Sequence, residues 1–554
     1  MAGDQRPPVL DWAEPFPPVS LEQWRDAVAS SLEGRTPDEL AIRTDEGLVV
    51  RPLYTSDDLP QGWRPAAASR AGWEVCQQVW SRDLVAAADE VRLLQRQGCG
   101  AIWLSFDRAA RLGAARDAAA SDGLQAARVE DLVPVLQALQ PGTVLRVNAA
   151  GNPVALAGLL FAAVDAAGLD PARLAGSLGC DPLGALAADG ELPAELGACL
   201  RQMADVAAWV EGNAPRVRAI DVSTLAHHSA GADAVQELAF SLSTAVEYLR
   251  ALDAAGIEPE RSCAQMRLVM AVGRDLFMEV AKLRAARALW ADVAGACGGS
   301  QDAQVVPIHA VASPRTLTLR DRWVNLLRVT VESFAAVAGG ADSLTTQPFD
   351  GASDVSSVQA RRLAVNTQTI LGQEAHLDRV ADPGAGSWYV ESLSHDLARA
   401  AWELFQHLEG RGGMRGCLER GEVAALVAEA RERRRQAMAS GEMPITGVTS
   451  YPAPGEEPER LEANRRQGAR SARPRPAGQG CDEALRRLEA LVASGGAGGG
   501  LTAAAARAAA GGASLVELGE RLRGAGPPAR VEPLPRQRDS EPFEAVGGVG
   551  VDRG

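Results

Sequence analysis

The chain of 554 residues is predicted to be an α/β protein built on a parallel sheet, and a (β/α)8 barrel fits its length. Three observations carry that prediction. Between about residues 70 and 450, short apolar runs alternate with segments of helical period. Many of the runs end in a small or polar residue, as in Phe106-Asp107 and Val222-Ser223-Thr224. The composition, 46% hydrophobic but only 4% aromatic, suits a helix-rich fold assembled on small side chains. Periodicity alone is satisfied equally by a doubly wound sheet.

In chain order, residues 1–60 read as an arm. Pro7, Pro8, Pro15, Pro17 and Pro18 keep its start extended. Ser20 then caps a helix, with Gln23 at the capping-box position. Such an arm buries little against itself and must lie on the barrel or on another subunit. Within residues 61–450 the strand candidates are Ala101–Phe106, Val144–Val147, Leu174–Leu178, Val217–Val222 and Val305–Ala310. In one intervening helix, capped by Asp233, the residues Val235, Leu238, Leu242, Val246 and Leu249 repeat at helical spacing. Another runs from Trp323 to Ala338, with Leu327, Val331, Phe334 and Ala338 on one face and Gly339-Gly340 at its end. Asp382-Pro383-Gly384-Ala385-Gly386 is an ordered loop, followed by the short aromatic segment Ser387–Glu391. Residues 451–480, rich in Pro, Glu and Arg (Arg465, Arg466, Arg470, Arg473 and Arg475 among them), read as a solvated linker. Short helices follow in 481–554.

Bulk properties exclude several classes. A net charge of -15 argues against nucleic-acid binding. No apolar run reaches the roughly 18 residues of a membrane span. The acidic, proline-broken start lacks the pattern of a signal peptide. The eight scattered cysteines form no C-x-x-C pair and lie near no histidine at ligand spacing. They read as reduced, buried or half-buried thiols of a cytoplasmic protein, with no metal site.

Longer motifs take the reading further. Residues 363–393, LAVNTQTILGQEAHLDRVADPGAGSWYVESL, together with 274–290 and the entry Arg43-Thr44…Pro52-Leu53-Tyr54-Thr55, resemble the methylmalonyl-CoA mutase family. The resemblance runs over about residues 10–545 and implies an acyl-CoA-binding (β/α)8 barrel. Catalytic members rearrange a branched to a linear acyl-CoA with adenosylcobalamin as the radical source. They carry a glutamine, an arginine for the free carboxylate and a histidine for the thioester.

On this sequence those positions are degenerate. Gly176-Ser177-Leu178-Gly179-Cys180-Asp181 matches the family's G-T-I-Q-N-D, so Gly179 stands for the glutamine. Asp189 stands for the arginine and reverses its charge. Ala226 stands for the histidine, its register pinned by Ala230-Gly231-Ala232. Of the neighbours His227 and His228, one is expected to pack at the strand's end and the other to be solvated. His309, His376, His395 and His407 are isolated, structural or exposed. The family's R-G-P-Y and W-x-x-R-Q-Y-A-G-F blocks are replaced by Pro60–Pro65 and Gly72–Gln78.

The wording Trp73-Glu74-Val75, Ile102–Phe106 and Asp181-Pro182-Leu183-Gly184 is similar to the small, non-catalytic beta subunits of the family. That resemblance implies no catalytic, cofactor-binding or metal residues in this chain. Its partner would be a large catalytic subunit that holds adenosylcobalamin. The family's cobalt-ligating D-x-H-x-x-G occurs nowhere here. Residues 481–554 therefore read as a helical remnant preceding an absent cobalamin-binding domain, whether by a shortened lineage or a shifted reading frame. The alternative is a diverged acyl-CoA mutase substrate subunit that works with a separate cobalamin-binding chain.

Overall fold

Eight parallel strands close into a barrel in the order β10-β3-β4-β5-β6-β7-β8-β9, which decides between barrel and open sheet. The computed structural model describes residues 19–32, 36–63, 71–114, 123–353, 356–453, 481–496 and 498–544. The proline-rich start, the arginine-bearing linker and residues 545–554 lie outside the described residues. Two short antiparallel strands, β1 (Ile42–Arg43) and β2 (Val49–Val50), belong to the arm. The barrel is made of β3 (Glu74–Gln78), β4 (Ala101–Ser105), β5 (Val144–Asn148), β6 (Ala175–Cys180), β7 (Val217–Ser223), β8 (Met266–Val272), β9 (Ile308–Ala312) and β10 (Ser343–Thr345).

Four of the expected strands fall within two residues of their predicted bounds. The fifth begins at Ile308 instead of Val305, because Pro307 has no N–H for the ladder and its carbonyl instead accepts from Leu268. Three barrel strands escape a search for apolar runs. β3 reads EVCQQ, β8 carries Arg267, and β10 is only three residues long.

Polar strand residues make sense because many of them face the barrel axis. The rings of Trp103 on β4 and His309 on β9 lie 5.6 Å apart, edge to face. Those strands are separated by β3 and β10, so the contact crosses the interior. Arg146 on β5 reaches Glu74 on β3 at 2.6 Å. Ser177 on β6 and Arg267 on β8 both bond Asp221 on β7. A barrel interior is normally layered with branched apolar side chains. Here the apolar core lies instead between the strands and the surrounding helices.

The helix Ala234–Ala254 forms as predicted, with a full Asp233–Gln236 capping box. The expected helix at 323–338 begins at Asn325, and its Leu327, Val331 and Phe334 face outward. Its inner side holds Val329, Ala335 and Ala336 together with Glu332 and Ser333, which bond Thr316 and Thr346. Period identifies a face but not its direction when buried polar groups have partners. The aromatic segment after the Asp382–Gly386 loop is the first turn of the helix Trp388–Gly410, capped by Ser387. Buried Arg284 orders that loop by bonding both Asp382 and Glu391.

The helices Cys481–Ala493, Gly500–Ala510 and Leu515–Leu522 pack with the barrel helices Pro153–Ala166 and Leu196–Asn213 into one continuous core. Gly158 allows the close approach, since a Cβ there would stand 2.7 Å from that of Ala505. Buried Asp205 caps the second helix by accepting from the amides of Gly499, Leu501 and Thr502 at 2.9, 3.2 and 2.8 Å and from the Thr502 hydroxyl at 2.7 Å. Among the described residues no helix is long and apolar enough to cross a membrane. Asp205→Ala strands those donors and should cost about 2–4 kcal/mol. Urea unfolding should show the loss, and limited proteolysis should cut first within residues 481–528.

Candidate functional site

The C-terminal ends of the strands are where a (β/α)8 enzyme keeps its chemistry. Gly179 and Asp189 are each closed off there by the chain itself. Gly179 sits near the end of β6 with φ +63, at a register shift between Ser177 and Cys180. A Cβ at this position would stand 2.3 Å from the Val147 carbonyl oxygen and 3.2 Å from the Asn148 Cα. Both obstacles are backbone, so no side chain fits without moving β5.

Asp189 ends the helix Pro182–Asp189 and is buried. Its carboxylate takes a two-pronged bond from Arg111, Nε at 3.0 Å and Nη2 at 2.9 Å. Arg111 belongs to the helix Arg108–Leu112 that follows β4, and its Nη1 also donates to the Phe106 carbonyl. The position that the resemblance gives to a substrate-binding cation thus holds an anion already paired with a cation of this chain.

Ala226 lies half-buried in the helix Leu225–Ala230 after β7, next to two histidines that are both fully buried. The expectation that one of them is solvated is therefore wrong. His227 packs its ring 5.1 Å from Phe240, and neither of its nitrogens has a hydrogen-bond partner. Burial pushes its pKa down to about 4. The helix turns both imidazoles inward because Gly231, at φ +115, ends it at once and reverses the chain.

A buried cluster that the sequence reading missed surrounds His228. Its Nδ1 meets Glu237 at 2.7 Å and its Nε2 meets the Ser313 hydroxyl at 2.7 Å. Lys282 lies 3.2 Å from Glu237 and 2.7 Å from Glu279. The Glu–His–Ser order is that of a nucleophilic relay. Yet the side chains of His228, Glu237 and Lys282 are at most 2% exposed. Residues 529–539 also strap this end of the barrel. Val531, Leu534, Gln537 and Asp539 donate backbone bonds to Gly190, Ala187, Ser229 and Arg315. The cluster is thus enclosed by the protein, with Ser313 itself fully buried. The available signal was the charge of Glu237, Glu279 and Lys282 within otherwise apolar helices.

The two histidines that follow β7 are turned into the protein. His309 sits in the barrel axis, where burial holds its pKa well below the usual value. Among the described residues no three metal-ligating side chains cluster. Seven cysteines are buried and Cys297 is exposed. Burial raises the Cys99 and Cys199 thiols to about 12, which leaves them unreactive.

Two outcomes follow. The His227 pKa is depressed on folding, so its contribution to stability is complete above pH 6.5 and is lost as pH falls towards 4. His227→Leu should remove about 3 kcal/mol of acid sensitivity over that window, read from urea midpoints against pH. Restoring the family's residues should not restore a pocket. Gly179→Gln collides with β5 and should cost more than about 3 kcal/mol. Asp189→Arg leaves Arg111 facing a like charge and should cost about 3–5 kcal/mol. Thermal unfolding of the single variants measures both.

Comparison with known proteins agrees with the fold. The family described as methylmalonyl-CoA mutase matches residues 44–526. The methylmalonyl-CoA mutase small subunit of Streptomyces virginiae is 37% identical over 469 residues, covering 81% of this chain and 73% of that one. The probable methylmalonyl-CoA mutase small subunit of Mycobacterium tuberculosis is 34% identical, covering 79% of this chain and 73% of that one. The methylmalonyl-CoA mutase large subunit of Streptomyces virginiae is 30% identical, covering 86% and 69%. With its closed parallel barrel and a match over most of its length, this chain belongs to the methylmalonyl-CoA mutase family.

Proposed function

We propose that this chain is the non-catalytic small subunit of an adenosylcobalamin-dependent methylmalonyl-CoA mutase, a cytoplasmic heterodimer that interconverts methylmalonyl-CoA and succinyl-CoA. The observation that carries the proposal is the closure of the site. Gly179 has no room for a side chain, and Asp189 is consumed by Arg111. The barrel axis is occupied by paired Arg146, Glu74, Asp221 and Arg267. Small-subunit relatives at 37% and 34% identity point the same way. Adenosylcobalamin and substrate then belong to the large subunit, and this chain stabilises and orients it.

The arm is the interface element in this proposal. Its second half is docked: Asp45 pairs with Arg434, the Asp58 carbonyl accepts from the Ser392 hydroxyl at 2.9 Å, and Tyr54 packs 5.1 Å from Tyr389. Its first helix, Leu21–Ser31, buries no residue. Val19, Leu21, Leu40, Ile42 and Val49 are exposed along the arm. Apolar side chains presented without a core of their own suit a partner's surface.

Co-expression with a mutase large subunit should yield a one-to-one complex by light scattering, with turnover that requires the large subunit. Deleting residues 19–32 should weaken the complex at least about tenfold. A chain that remains a monodisperse monomer beside the large subunit would sink the proposal. So would acyl-CoA turnover by this chain with only a cobalamin-binding protein, which would establish the substrate-subunit alternative.

A further inference from the structure

We infer that a recess at the C-terminal mouth of the barrel is a receptor for one oxyanion, a phosphate or a carboxylate group. The recess has a volume of about 50 Å3. That admits a single small group and falls far below the roughly 300–1,000 Å3 of an ordinary small-molecule pocket. Its walls carry Arg315 from the segment after β9, Arg431 and Arg434 from the helix Glu422–Ser440, and Arg538 from the strap. Asp539 is the acidic wall residue beside them, while Arg435 and Glu432 at the rim pair with each other at 2.7 Å.

Five arginines line the recess against two carboxylates, Glu432 and Asp539, so positive charge is in excess there. Arg431 donates to the Ala230 carbonyl at 3.2 Å and Arg434 to the Gly231 carbonyl at 3.0 Å. Arg315 donates through Nη1 to the carbonyls of His228 and Ala232 at 2.8 and 2.9 Å. Carbonyls fix a guanidinium without neutralising it. Arg315 and Arg274 share Asp539 at 3.5 and 3.9 Å. Arg434 pairs outward with Asp45, and Arg538 with Glu544. The side chain of Arg315 is nine-tenths buried, and its Nε donates no hydrogen bond.

Burial and the neighbouring positive charge of Arg434 both hold the Arg315 pKa below its usual value. Gly231 completes the recess. A Cβ there would stand 2.6 Å from that of Arg431, so only glycine lets this arginine lie over the end of the helix. Convergent guanidinium forks of this kind bind planar carboxylates and tetrahedral phosphates through paired hydrogen bonds.

The inference rests on this chain's residues alone and stands or falls apart from the subunit proposal. Isolated full-length protein would be titrated calorimetrically with inorganic phosphate, then with succinate, at constant ionic strength. Saturable one-site binding by either anion is expected. Phosphate binding identifies a free phosphate receptor, and binding of succinate alone identifies a carboxylate receptor. Arg431→Ala and Arg538→Gln, each checked for wild-type thermal unfolding, should weaken binding by about tenfold or more. Arg435→Ala, at the rim, should change it by less than about twofold. Absence of saturation below about 20 mM for both anions, or wild-type binding by both variants, overturns the inference.

Discussion

The paired charges along the barrel axis are the constraint on which the rest of this structure depends. Arg146 and Glu74 bridge β5 and β3, while Arg267, Asp221 and Ser177 tie β8, β7 and β6 together. A buried charge without a partner is far more costly than the pair, so these residues hold the strands in one register. The same pairing fills the barrel axis with charged side chains.

Outside the strands the packing depends on small residues and on a few buried anchors. Gly158 and Ala505 bring the C-terminal helices against the barrel, and Asp205 holds the start of one of them. Arg284 grips the Asp382–Gly386 loop and the helix after it through Asp382 and Glu391. The alanine-rich composition is the surface on which these close approaches become possible. The anchors then select one arrangement among many that small residues would permit.

The mouth of the barrel is built on pairings within the chain. The Glu237–His228–Ser313 relay and Lys282 persist as a buried network, sealed by the strap that runs from Ala529 to Asp539. Asp189 finds Arg111 where a ligand would otherwise be needed. Arg431, beside the strap, is held by a carbonyl oxygen, that of Ala230.

By itself the sequence determined the alternating strand and helix units, the capped helix at Asp233, the ordered Asp382–Gly386 loop and the likeness to the mutases. These depend on local period, turn chemistry and long motifs, which are properties of neighbouring residues. Only the tertiary structure decided that β3, β8 and β10 are strands, because their polar residues are satisfied by partners on other strands. It also turned Leu327, Val331 and Phe334 outward and buried both His227 and His228. Gly179 and Asp189 could be singled out from the sequence by the family resemblance. That β5 backbone forbids a side chain at one, and that Arg111 consumes the other, required coordinates. The physical reason is the same in each case: burial and pairing are set by residues far away in the chain, and a one-dimensional pattern carries no record of which groups meet.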